Sequence, residues 1–238
     1  MITLRRNSER CHVKHGKRDM WRTFFPDDRP GPSADDFGVL TTLDEIRIPP
    51  GGDSASHPPE EAEIVTYVYR GALAQEDSTG GSNVVQAGEF QRMNISRSIR
   101  HKETNASRTD WAHIFRISLR SSNAGLDGGH EQRRFAAAQR RNVLCVVASP
   151  DGRKESLRIS QDAVVYSVVL DAGRHLIHEL LPERTAWLHL IYGEATLQDI
   201  VMTQGDGGGL TTERSVSLTA QENTELLVVD LGPRPRSS

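Results

Sequence analysis

The stretch Ile64-Val-Thr-Tyr-Val-Tyr-Arg-Gly71 is echoed by Trp187-Leu-His-Leu-Ile-Tyr-Gly193, each an apolar run closed by glycine. A second glycine turn follows downstream in both copies, Ala87-Gly88-Glu89 in one and Gln204-Gly205-Asp206 in the other. Runs of Val, Ile, Leu and Tyr that stop at glycine read as strand and turn, and a unit that occurs twice predicts a duplicated β-barrel. Outward from these two copies, further strand candidates are Val84 to Met93 broken at Ala87-Gly88, His113 to Leu119, Val143 to Ala148, Ala163 to Leu170, His175 to Leu180, Ser215 to Leu218 and Leu226 to Leu231. No long helical period competes, and regularly spaced short strands belong to an all-β sandwich or barrel.

Composition narrows the function classes. The 238 residues are 36% hydrophobic and 26% charged, with a formal net charge of −3. A mean hydropathy of −0.51 and the lack of any apolar run near ~20 residues exclude a membrane-spanning helix. Met1-Ile-Thr-Leu-Arg-Arg6 lacks the apolar centre of a signal peptide, so a soluble, cytoplasmic protein is expected. A pI of about 6.3 supplies no surplus of cations for nucleic acid or anionic lipid. Cys11 and Cys145 are far apart, which indicates neither a disulfide framework nor a thiolate zinc site; Cys145, in Val143-Leu-Cys-Val-Val147, reads as a small buried apolar residue.

Charge runs carry less. The Arg, Lys and His cluster between Arg5 and Arg22 has acidic neighbours and only Trp21 as an interleaved aromatic, which reads as a solvated face. Residues 26–36, rich in Pro and Asp, read as an exposed loop. Gly207-Gly208-Gly209 lacks the strand-to-helix context and Lys of a phosphate loop, so a turn is expected there. No Ser-His-Asp signature stands out, and His175, His178 and His189 are assigned no site.

The stretch with chemical content is Gly51-Gly-Asp-Ser-Ala-Ser-His57-Pro-Pro59-Glu-Glu-Ala-Glu63, followed by Gly88 and Ile99-Arg-His101-Lys-Glu103-Thr-Asn105. In an extended strand alternate side chains share a face, so His101 and Glu103 point the same way, as do positions 57, 59, 61 and 63 if that segment stays regular. Imidazole and carboxylate converging on one point make a divalent metal site. His113, in Trp111-Ala-His-Ile-Phe-Arg-Ile117, either lines the barrel or occupies an ordinary strand position.

Gly51, His57, Glu63, His101 and Asn105 resemble the two motifs of the cupin superfamily. With the second-motif His-x-Glu, the His15-Gly16 context and the connector Glu131-Gln-Arg-Arg-Phe135, the chain resembles the pirin family, whose members are bicupins. The resemblance runs from Arg5 to Leu231. It implies two tandem cupin barrels of the jelly-roll, double-stranded β-helix type, expected at residues 1–136 and 137–238, in a compact monomer. It further implies one divalent transition metal, Fe(II) foremost, held in the first barrel only, by three histidines and one glutamate.

Carried over by position, His57, His101 and Glu103 match three of those ligands, and the fourth position is Pro59, which has no side-chain donor. Two outcomes follow. Either His57, His101 and Glu103 persist as a two-His, one-carboxylate set with open positions, with Glu63 or Glu61 a candidate replacement oxygen, or the barrel holds no metal at cellular levels. Glu63 reads more naturally as a hydrogen-bonding neighbour than as a ligand. The function classes implied are a quercetin 2,3-dioxygenase-type oxygenase acting on a flavonol-like molecule, with Glu103 as ligand and base, a regulatory protein-binding module, and a metal-free small-molecule binder.

Overall fold

The computed structural model describes residues 1–24, 32–53, 61–78, 80–95, 101–120 and 129–233. Up to residue 136 the strands are β1 (Ile2–Arg5), β2 (Cys11–His15), β3 (Arg18–Arg22), β4 (Leu40–Ile48), β5 (Ala62–Arg70), β6 (Ala72–Asp77), β7 (Ser82–Gln86), β8 (Glu89–Ile95), β9 (His101–Asn105), β10 (Ala112–Arg120) and β11 (His130–Arg134). One helical turn, α1 (Ala137–Arg140), leads into β12 (Cys145–Ser149), β13 (Leu157–Arg158), β14 (Ala163–Leu170), β15 (His175–Glu179) and β16 (Thr185–Tyr192). The chain continues through β17 (Glu194–Leu197), β18 (Ile200–Thr203), β19 (Gly207–Leu210), β20 (Ser215–Ala220) and β21 (Thr224–Leu231).

Each barrel is a large sheet faced by a small one. The first has the order β11-β8-β5-β10-β4-β3-β2 opposite β7-β6-β9; the second has β1-β19-β16-β21-β14-β12-β13 opposite β15-β20-β17-β18. This is the all-β bicupin expected from the sequence. The repeat is literal at its glycines. Gly71 and Gly193 have φ of +78° and +92°, Gly88 and Gly205 +83° and +85°, the left-handed region that favours glycine. The Gly88 amide donates to the Val68 carbonyl at 2.8 Å and the Gly205 amide to the Leu190 carbonyl at 2.8 Å, so the same turn closes on the same strand position in both copies.

The large sheets pack face to face. Alternation along β5 sends Val65 and Tyr67 to this joint, with Leu43, Phe90, Phe115 and Ile117, against Val147, Val165, Trp187, Ile191, Leu227 and Val229 of the second barrel. Full burial of such side chains contributes about 1.5–3 kcal/mol each. Polar groups fasten the joint at its edges. Glu63 accepts from the Ser160 amide at 2.8 Å and the Ser160 hydroxyl at 2.9 Å. Tyr67 and Arg140 both donate to Glu225, at 2.6 and 2.7 Å.

Several expectations change. Gly207 to Gly209 form strand β19 rather than a turn, paired with β1 and β16. A Cβ on Gly207 would overlap the Trp187 ring and one on Gly209 the Phe37 ring, so these glycines are packing glycines. The basic cluster from Arg5 to Arg22 is not simply a solvated face. Arg10 is buried and donates to Glu45 at 2.7 Å and to the Trp21 carbonyl at 2.9 Å, while buried Arg5 donates to the Pro32 carbonyl. Strand β1, from the N-terminal end of the chain, pairs within the second barrel's sheet. Cys145 is half-buried against the joint, and burial raises its thiol pKa. Most of the loop expected at 26–36 lies outside the described residues.

Candidate functional site in the first barrel

The interior of the first barrel is layered. Toward one end lie Met20, Ile46, Ile48, Val68, Leu73, Val85, Ala112 and Ile114; toward the other lie Ala62, Ile64, Met93 and Ile95. Between them a polar rung crosses five strands in register, Arg22 opposite Asp44, Asp44 opposite Arg116, Arg116 opposite Thr66 and Thr66 opposite Gln91. Gln75 and Glu103, themselves cross-strand partners, face this rung from the small sheet.

These groups close on one another. Gln75 Nε2 donates to Glu103 Oε1 at 2.8 Å and to Gln91 Oε1 at 2.6 Å, and Gln91 returns a bond to Gln75. Arg116 donates to the second oxygen, Glu103 Oε2, as a buried ion pair with side chains 4% and 2% exposed. Burial of a carboxylate costs several kcal/mol unless a cation and donors satisfy it, and Arg116 and Gln75 do so here. On the far side of Arg116, burial pushes the Asp44 carboxyl up to about 6 against the opposing charges of Arg22 and Arg116. Arg18, half-buried at the rim, donates to the Asp53 carbonyl at 3.4 Å. Its pKa is lowered by burial and then by the like charge of Arg116.

The structure brings His101 and Glu103 to one face of β9, as their spacing predicts, with His101 half-buried beside a pocket lined by Gln75, Asp77, Met93 and His130. His57 and Pro59 lie outside the described residues. Asn105, next in phase, is a clamp. Its amide donates to the carbonyls of Ile48, Pro49 and Asp110 at 3.1, 3.1 and 2.7 Å, and its Oδ1 accepts from the Ser107 amide at 2.9 Å.

Two candidates turn away from the site. Glu63 faces Ser160 across the joint, so it supplies no replacement oxygen. His113 is hydrogen-bonded to Glu45 at 2.9 Å on the joint side of β10, not in the barrel. Glu45 is held far below the usual carboxylate range by His113 and Arg10, which together outweigh its burial. Among the second-barrel histidines, His178 bonds Asp230 and His175 bonds Thr219. His189 is fully buried, with its pKa lowered to about 3 by burial and by Arg10.

A divalent metal of the kind the resemblance implies needs several imidazole or carboxylate donors with lone pairs available. Among the described residues no three His, Cys, Asp or Glu side chains converge to hold one. Both Glu103 oxygens already accept hydrogen bonds, one from a cation, and position 59 is proline. With proline at one of its positions and Glu103 engaged by Arg116, the described residues do not make up that four-ligand centre. Sequence reasoning missed Arg116, although its signal was visible: in His113-Ile-Phe-Arg116-Ile-Ser-Leu119 an arginine sits in phase with Ile114, on the inward face of an otherwise apolar strand.

Residues 4–118 match the pirin family and residues 146–231 the quercetinase C-terminal cupin domain. The chain is 34% identical over 233 residues, 98% of its length and 100% of the relative's, to quercetin 2,3-dioxygenase of Escherichia coli K12. It is 28% identical over 200 residues, 84% of its length and 86% of the relative's, to a pirin-like protein of Caulobacter vibrioides. Among solved structures it resembles the E. coli pirin YhhW in complex with nickel(II), with a TM-score of 0.88 and 33% identity over 98% of this chain and 100% of that one. That complex implies a metal in the relative. With both barrels matched and the identity sustained along the whole length, the chain belongs to the pirin family.

Proposed function

We propose that this protein binds a flavonol-like small molecule in its first barrel, beside His101 and Glu103, and that it does so without a tightly held metal. The ion pair between Glu103 and Arg116 carries this reading, because the carboxylate that would ligate a metal is neutralised by a buried guanidinium. The ligand class is supported by the full-length identity to an E. coli quercetin 2,3-dioxygenase. Among the described residues the first barrel has a polar layer inside, whereas the second is filled by apolar side chains.

A second reading is favoured by the same identity and by the shared face of His101 and Glu103. In it the protein is a quercetin 2,3-dioxygenase-type oxygenase holding one Fe(II) through His57, His101 and Glu103, with Glu103 also serving as base. One experiment separates the two. Protein purified without chelator is assayed for metal content, for quercetin binding by fluorescence, and for quercetin-dependent oxygen uptake. The first reading expects less than about a tenth of an equivalent of transition metal, saturable quercetin binding and no uptake. Stoichiometric metal with uptake that His101→Ala abolishes would replace it with the second.

A further inference from the structure

We infer that Arg116 is a built-in substitute for the metal, supplying the positive charge that Glu103 needs, so that a divalent cation and the Arg116 guanidinium compete for the same carboxylate. The inference rests on the metal-poor reading above and names the residue responsible for it.

A carboxylate as deeply buried as Glu103, 4% exposed, stays ionised only beside a counter-charge. A metal ion is one solution and a guanidinium is another. Arg116 adopts the second. It projects from β10 across the barrel to Glu103 on β9, and its side chain is itself 4% exposed. The remaining carboxylate oxygen is taken by the Gln75 amide, which is locked by its reciprocal bonds with Gln91. Donor N–H groups on both oxygens leave the carboxylate presented to donors rather than to a cation.

The surrounding charge argues the same way. Arg18 stands close enough for Arg116 to depress its pKa, and Arg22 and Arg116 flank Asp44 in register. Among the described residues, the charges of Arg18, Arg22 and Arg116 act alongside those of Asp44, Asp53 and Glu103. A dication added beside Arg116 would face guanidinium charge at low dielectric, where like-charge repulsion is strong. Position 59 is proline and carries no side-chain donor, while Arg116 already supplies a positive charge to Glu103.

The test is equilibrium dialysis of the full chain against Ni(II), and against Fe(II) under anaerobic conditions, for the wild type, Arg116→Gln and the double variant Arg116→Gln/Glu103→Gln. Arg116→Gln should bind one equivalent at least about ten-fold more tightly than the wild type, and the double variant should lose that gain. A wild type that already binds one equivalent as tightly as Arg116→Gln would overturn the inference, as would a gain that survives Glu103→Gln. Should Arg116→Gln not fold, the wild type decides. Its melting temperature should be the same with chelator and with excess Ni(II), and a Ni(II)-induced rise that Glu103→Gln removes would sink the idea. Quercetin binding to the metal-free wild type is measured separately. Its absence, with the competition intact, would refute the proposed ligand and leave the role of Arg116 standing.

Discussion

The two barrels share a plan and differ in what fills them. The second is packed with Val146, Val164, Val168, Leu188, Leu190, Leu197, Met202, Leu218, Leu226 and Val228 among others. The first carries a charged and amide layer between two apolar ones. A buried ion pair is a poor stabiliser beside an apolar filling of similar volume, so stability alone does not account for the layer in the first barrel.

The comparison breaks first at Arg116. Replacing it with methionine leaves the Glu103 carboxylate buried beside Gln75 without its cation, and such a deletion costs about 3–5 kcal/mol. Unfolding in urea should show this loss, and Arg116→Met/Glu103→Leu should recover much of it, because the orphaned charge goes with its partner. Equal stability of the single and double variants would mean that the pair is not coupled. In the second barrel the matching probe is Leu188→Ala, at a fully buried position. The cavity it opens should cost about 2–5 kcal/mol and leave metal competition in the first barrel unchanged. A cost below about 1 kcal/mol would deny that this barrel is tightly filled.

How far the sequence disclosed this contrast depended on the kind of signal. Strand β14 coincides with the run Ala163 to Leu170, because a strand buried on both faces is continuously apolar and its ends are marked. The turn at Ala87-Gly88 and the repeat glycines were legible because a positive φ restricts residue choice. Strands β2 and β3 were not, since their charged and aromatic residues follow no apolar alternation and the burial of Arg10 depends on distant partners, Glu45 and the Trp21 carbonyl. Strand β19 was read as a turn because glycine's usual meaning is conformational, whereas here Trp187 and Phe37 occupy the space of the missing side chains. At the site, the phase of His101 and Glu103 was visible locally, but the Glu103–Arg116 pair joins strands from opposite sheets, and no local pattern encodes such a partner.

The joint between the barrels supplies a pH-dependent contrast with both interiors. His189 is buried beside Phe115 and faces Arg10, Glu45 and His113. The unfolded chain takes up its proton below about 6.5, while the folded protein resists until about 3. Stability from this residue is therefore present above pH 6.5 and lost as pH falls through the window between those values. Between pH 7.5 and pH 5 the loss amounts to about 2 kcal/mol. Urea unfolding of His189→Leu at the two pH values should lack that increment, and an acid-side slope equal to the wild type's would show that His189 is not its source.

The smallest expected effect lies at the edge of the joint. Glu63 receives both the backbone amide and the hydroxyl of Ser160, so its charge is satisfied across the boundary rather than inside the first barrel. Ser160→Ala removes only the hydroxyl bond and keeps the amide. Hydrogen bonds to charged groups contribute about 1.5–3 kcal/mol, and with the amide retained the net loss should be about 1 kcal/mol, read as a shift of the urea midpoint. Metal competition at Arg116 should not move, because Glu63 lies on the opposite face of β5 from the layer containing Thr66. If Ser160→Ala did alter the metal affinity of Arg116→Gln, Glu63 would be coupled to the site after all, and the separation between the joint and the polar interior would fail at that strand.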